Sequence, residues 1–329
     1  MTATVNEAPY ANLGPEQVLA AVEATGYRCD GRLLALNSYE NRVYQIGIED
    51  ESPLVGKFYR PERWSDAAIL EEHAFAQELA EREIPVVAPL ATDGRTLHEF
   101  EGYRFALYPR RGGRWPELQE ADDRLWVGRF LGRIHAVGSV RAFEHRPVLS
   151  VASMAEEPVA YLLQHNVIPA ELRVPYTSLL DDLLVRIRAS FERAGECAQI
   201  RLHGDCHLGN ILWTDAGPHF VDLDDCRMGP AIQDLWMLLS GDRMEQALQL
   251  SDIVEGYEEF YEFNRRELHL VEALRTLRII NYAAWLARRW DDPAFPQAFP
   301  WFDSPRFWEE HILSLREQAA LLDEPPLQI

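Results

Sequence analysis

The stretch Leu202–Asp225, LHGDCHLGNILWTDAGPHFVDLDD, sets three oxygen-bearing side chains at fixed intervals: Asp205, Asn210 five residues on, and Asp222 seventeen residues after Asp205. An amide oxygen and a carboxylate suit a hard cation such as Mg²⁺, which takes few protein ligands and fills its octahedron with water and phosphate oxygens. A further carboxylate kept off the metal can serve as a base. Gly204, Gly209 and Gly217 mark turns, so the stretch reads as short strands and loops. The apolar pair Phe220-Val221 ahead of Asp222 argues against an exposed acidic turn, while Asp224 and Asp225 stay open between supporting the cluster and facing solvent. The rival is a tetrahedral metal site of His203, Cys206 and His207 with Cys226, but no C-x-x-C pair completes it, and the glycines oppose the helix that would align the histidines.

Around this stretch the chain is acidic. It has 53 Asp and Glu against 32 Lys and Arg, a formal net charge of −21. Such a surface repels nucleic acid and anionic lipid, which excludes a phosphate-backbone groove or a polybasic membrane anchor as the first expectation. No run of about 18 apolar residues offers a bilayer span. Cys29, Cys197, Cys206 and Cys226 are too scattered for a disulfide framework, and MTATVNEAPYANLG lacks the regions of a signal peptide. A monomer in a reducing cytoplasm is the expectation. With 329 residues, two packed units are expected.

A first helix is predicted from about Pro15 to Thr25. RVYQIGI and LVGKFY then read as a strand hairpin, and Ser65 caps a helix to about Glu83. VVAPL, TLHEF and YRFALYP resume strand character. PRRGGRWP breaks both periodicities, placing a boundary near Tyr108 between an N-terminal lobe, 1–108, and a mainly helical lobe, 109–329. The fold class is α+β: a small lobe with an antiparallel sheet and one helix, followed by a larger helical lobe. EGYEEFYEF reads as an amphipathic helix with a solvated acidic face, and the tryptophans at 285, 290, 301 and 308 read as helix packing ahead of a substrate-binding wall.

His203-Gly204-Asp205 with Asn210, followed by Asp222-Leu223-Asp224, resembles the catalytic loop and metal-binding aspartate of the protein-kinase superfamily, in its aminoglycoside-phosphotransferase and choline-kinase branch. More narrowly, LNSYENRVYQ, KFYRPERW and LHGDCHLGNILW…FVDLDD…GPAIQDLWMLL together look like the bacterial stress response kinase A family, serine/threonine protein kinases on a phosphotransferase-like, bilobal scaffold. The resemblance implies Asp205 as acceptor of the substrate hydroxyl proton, with Asn210 and Asp222 as Mg²⁺ ligands, Asp222 counted also as catalytic. It further implies Ser38 at the nucleotide phosphates and Asp234 as anchor of the catalytic-loop backbone. ATP and protein serine or threonine acceptors are the implied partners. No G-x-G-x-x-G loop precedes Lys57, and no Ala-Pro-Glu follows Asp222, so control through an activation loop is not expected.

Lys57 is the only lysine in the chain. It shares a strand face with Val55 and Tyr59, and fifteen residues later the helix offers Glu72, with Glu71 beside it. This is the strand-lysine and helix-glutamate arrangement that orients nucleotide phosphates in kinases. Either glutamate could be the partner, and the other would be a solvated helix residue. A compact ammonium reaches phosphates at a depth that the broader guanidinium does not. The competing functions are a small-molecule phosphotransferase of the aminoglycoside or choline type and a nucleotide-binding regulator without catalysis.

Overall fold

The computed structural model describes residues 8–329, so the first seven residues of the stretch read for a leader lie outside it. The chain divides into two units. Of the described residues, the first comprises 8–117, Phe143–Arg146 and Leu208–Cys226, and the second Leu118–Ala142, Pro147–His207 and Arg227–Ile329.

In the first unit, helix α1 (Pro15–Glu23) begins on a proline, whose missing N–H costs nothing at a helix start. Strands β1 (Cys29–Ala35), β2 (Arg42–Ile48) and β3 (Leu54–Phe58) follow, then helix α2 (Asp66–Glu81) and strands β4 (His98–Phe100) and β5 (Tyr103–Pro109). The sheet runs β1-β2-β3-β5-β4, antiparallel throughout. Alternation along β3 assigns its faces. Leu54 and Phe58 enter an apolar core with Val18, Val22, Ile46 and Leu107, and Lys57 points the other way, paired in register with Val43 and Ala106. Helix α2 is capped by Ser65, whose side chain accepts from the Ala68 amide. VVAPL is not a strand: Pro85 precedes it, Pro89 interrupts it, and only Val86 makes a bridge, to Phe220. TLHEF contributes only its last three residues.

The second unit begins with helices α3 (Ala121–Gly138), α4 (Glu157–Gln164) and α5 (Ala170–Ala194) and strand β6 (Ile200–Leu202). The chain then adds a hairpin to the first unit, β7 (Ile211–Thr214) and β8 (Gly217–Phe220). It returns to the second as β9 (Arg227–Gly229), antiparallel to β6, and helices α6 (Ile232–Trp236), α7 (Arg243–Tyr257), α8 (Val271–Ala287), α9 (Ala294–Ala298) and α10 (Pro305–Leu321). Helix α7 corrects the reading of EGYEEFYEF. It starts at a capping box, Asp242 with Glu245, and stops at Tyr257, because Tyr257 and Phe263 are both buried with rings 6.1 Å apart, which a continuing helix would separate.

Close approach of α3 and α7 is permitted by glycine. A Cβ on Gly132 would lie 2.4 Å from the Tyr257 carbonyl oxygen, and one on Gly128 2.0 Å from that of Ile253. Both obstacles are backbone, so no side-chain rotation relieves them. Gly132→Ala is therefore expected to push the helices apart and cost about 1–3 kcal/mol of stability, read as a lowered urea midpoint. An unchanged midpoint would mean that the crossing is looser than this packing.

Candidate active site

The hairpin β7–β8 joins two of the sequence-selected residues. Ile211 pairs with Phe220, and the Val221 amide then donates to the Asn210 carbonyl at 3.0 Å, so Asn210 and Asp222 emerge side by side at the open end. Asp222 sits in the left-handed region, φ 60° and ψ 65°, which few non-glycine residues adopt and which is stored where surrounding structure enforces it. Its side chain is 52% exposed. Both residues line a cavity of about 420 Å³ within the first unit, shared with Lys57 and Glu72 and walled by apolar residues including Val43, Val55, Leu212 and Val221. Leu36 and Asn37 of the β1–β2 turn reach the same cavity; Ser38 follows them in that turn, partly buried.

Lys57 is 6% exposed, and three carboxylates face its ammonium: Asp222 Oδ1 and Asp224 Oδ1 at 3.0 Å, and Glu72 Oε1 at 3.5 Å. Burial works against the charge, and Asp222, Asp224 and Glu72 outweigh it, holding the ammonium well above the ordinary lysine range. Burial pushes the Glu72 carboxyl up against the pull of Lys57. The opposite balance holds for Asp224, whose burial is outweighed by Arg63 and Lys57, so its carboxyl stays below the ordinary range.

Both helix glutamates are used. Glu72 turns to Lys57 and, at 3.5 Å, to Arg146. Glu71 accepts from the backbone amides of Glu144, His145 and Arg146 at 2.6, 2.8 and 3.0 Å, so it is not the solvated residue expected from the sequence. That strap seats Arg146 over the Trp64 ring and against the Asp224 carbonyl, at 2.7 Å. Asp225 pairs with Arg63 at 2.9 Å. Lys57, Arg63 and Arg146 thus meet Glu72, Asp222, Asp224 and Asp225, leaving carboxylate in excess beside the exposed Asp222.

Asp205 belongs to the second unit. Its Oδ1 pairs with Arg278 of α8 at 2.6 Å, and His207 Nε2 lies 3.5 Å from Oδ2. Burial raises its proton affinity, but the hydrogen bond from His207 and the Arg278 charge lower it further, holding the carboxyl well below the usual carboxylate range. The loop before it is held by Asp234, fully buried, which accepts from the His203 and Gly204 amides at 2.8 Å each. Gly204 has φ +84°, which leaves the backbone free to turn both amides toward that carboxylate. His135 Nε2 lies 3.0 Å from Asp234 and its Nδ1 2.9 Å from the Tyr257 hydroxyl, a chain that depends on the glycine crossing of α3 and α7. His135 and Arg278 escaped the sequence reading, and Asp224, left open there, is resolved as the buried partner of Lys57 and Arg63. Their partners are remote in sequence, and only their being polar residues among apolar neighbours could have marked them.

Among the described residues, no group of three or more His, Cys, Asp and Glu is placed to hold a metal, which leaves the His–Cys alternative without support. A two-ligand site of Asn210 and Asp222 differs in kind. Its donors are hard oxygens, one carboxylate is solvent-facing, and the cavity beside it has room for the phosphate and water oxygens that Mg²⁺ needs. The donor set is of the kind a hard divalent cation takes.

Helix α6, which carries Asp234, is itself tethered by Glu267, whose carboxylate accepts from the Ile232 amide at 2.9 Å. Burial raises this carboxyl from 4.5 to about 7, against the backbone hydrogen bonds that favour its charged form. A raised folded-state value means stability present below pH 4.5 and lost as pH rises to about 7. Glu267→Gln should remove that dependence and stabilise the protein above pH 7 by up to about 3 kcal/mol, read in denaturation curves across pH. Parallel curves for both proteins would contradict the buried charge.

Residues 32–271 match the phosphotransferase enzyme family. The chain is 48% identical over 320 residues to "Stress response kinase A" of Escherichia coli O157:H7, covering 97% of each chain. It is 48% identical over 324 residues to "Serine/threonine protein kinase RdoA" of Salmonella typhimurium, covering 98% of each. In fold it is similar to amicoumacin kinase hAmiN, solved with AMP-PNP, Ca²⁺ and Ami, with a TM-score of 0.74, 18% identity and 95% of each chain covered.

Proposed function

Because the chain belongs to the phosphotransferase enzyme family, we propose that it transfers the γ-phosphoryl group of ATP to serine or threonine hydroxyls of proteins, as a cytoplasmic kinase of the stress response. The observation that carries this reading is the single lysine, buried among carboxylates at the wall of a cavity that also presents Asn210 and Asp222.

In this reading, strand and helix residues of 1–108 bind the nucleotide, and 109–329 supplies the catalytic residues and binds the acceptor. The apolar walls of the cavity take the base, and Lys57, paired with Glu72, holds the phosphates, with the Ser38 turn covering them. Asn210 and Asp222 would hold Mg²⁺, which would supply neutralisation of the phosphoryl charge. Asp205 accepts the hydrogen bond of the acceptor hydroxyl and takes its proton. Its low proton affinity suits a loose transition state, in which orientation of the hydroxyl counts for more than early deprotonation.

Labelled ATP offered together with generic protein acceptors and a panel of amino-sugars and amino-alcohols tests the assignment. Protein labelling is the expected result, and robust small-molecule turnover without it would overturn the protein-kinase reading. Asp205→Asn should lower transfer by about 10²–10⁴-fold with ATP binding nearly intact. Lys57→Arg should lower transfer although the charge is kept. Wild-type kinetics in either variant would remove that residue from the mechanism.

A further inference from the structure

Three stretches of the first unit, LNSYEN, KFYRPERW and DLDD, each contribute a polar residue to a cluster that the mechanism above does not use. These are Asn41, Arg63 and Asp224, and they meet. Asp224 is 2% exposed; its Oδ1 lies 3.0 Å from Lys57 Nζ, and its Oδ2 is bound by Arg63 Nη1 and by Asn41 Nδ2, the latter at 3.1 Å. Asn41 is fixed in turn, because its Oδ1 accepts from the Arg60 amide at 3.1 Å, just beyond the strand that carries Lys57. The backbone carbonyl of Asp224 is bound by Arg146. This aspartate is held at both its main chain and its side chain.

We propose that Asp224 is the positioning residue of Lys57, the permanent counter-ion that keeps the ammonium aimed into the cavity, with Arg63 and Asn41 fixing Asp224. The proposal rests on the reading of the cavity as a nucleotide site. The other two carboxylates are less suited to this role. Glu72 stands at 3.5 Å and divides its oxygens between Lys57 and Arg146. Asp222 is half exposed, and the cation assigned to it competes with Lys57 for the same carboxylate. Asp224 has its Oδ2 held by Arg63 and Asn41, and its Oδ1 faces the Lys57 ammonium at 3.0 Å with no hydrogen bond of its own, so this fixed carboxylate stays on Lys57 by charge whatever Asp222 does. Placed two residues after the metal-binding aspartate, it ties the lysine to the loop that bears the metal.

The unique lysine makes the test specific. Lysine-selective ¹⁵N labelling gives a single ammonium signal, which burial and ion pairing protect from solvent exchange. Asp224→Asn should lose that signal and weaken Mg–ATP binding about tenfold while kcat at saturating ATP falls less, with melting curves confirming the fold. Glu72→Gln should keep the signal, and this second arm decides the matter if Asp224→Asn does not fold. A persisting signal with unchanged nucleotide affinity in Asp224→Asn, or loss of the signal in Glu72→Gln, would overturn the proposal. Wild-type protein that shows the ammonium signal but binds no Mg–ATP would overturn the nucleotide reading, and the role of Asp224 with it.

Discussion

A lysine ammonium taken out of water needs close opposite charge, since an unpaired buried cation would lose its proton instead. Around Lys57 that charge comes from three places in the chain: Glu72 on α2, and Asp222 and Asp224 on the loop after β8. Satisfying one ammonium therefore brings the strand, the helix and the loop of the first unit to the same point. The excess of carboxylate makes that point receptive to a divalent cation, and the apolar walls beside it give a planar base somewhere to lie. Arginine elsewhere in the chain performs the surface and strapping roles.

The second unit solves a different problem, the placement of a single carboxylate, Asp205, on a loop. A buried aspartate draws in two consecutive backbone amides, a histidine backs the aspartate, and a tyrosine backs the histidine. Each layer depends on the one behind it, down to glycines that let two helices touch. His207 and Arg278 then favour the charged form of the carboxylate.

What could be read beforehand follows from how local each signal is. The proximity of Asn210 and Asp222 was legible because a tight hairpin joins them within a dozen residues. Lys57 and Glu72 were legible because one strand and one capped helix follow each other directly. The amphipathic periods of α3, α5 and α8 likewise gave the helical character of the second unit. Glu71 was misjudged because the amides it binds lie more than seventy residues away, and no pattern within α2 announces them. Asp224 and Arg63, separated by 161 residues, could not be paired from the sequence for the same reason. The end of α7 was misjudged where burial of Tyr257 and Phe263 overrode an acidic helical period.

The central claim is that the buried ammonium of Lys57 is the group that meets the nucleotide's phosphates. Titration of lysine-labelled protein with Mg²⁺ and a non-hydrolysable ATP analogue, followed at the one lysine resonance, addresses it directly. A saturable shift of that resonance, with the midpoint that calorimetry gives for binding, is the predicted result. Nucleotide bound by calorimetry while the resonance stays still would contradict it.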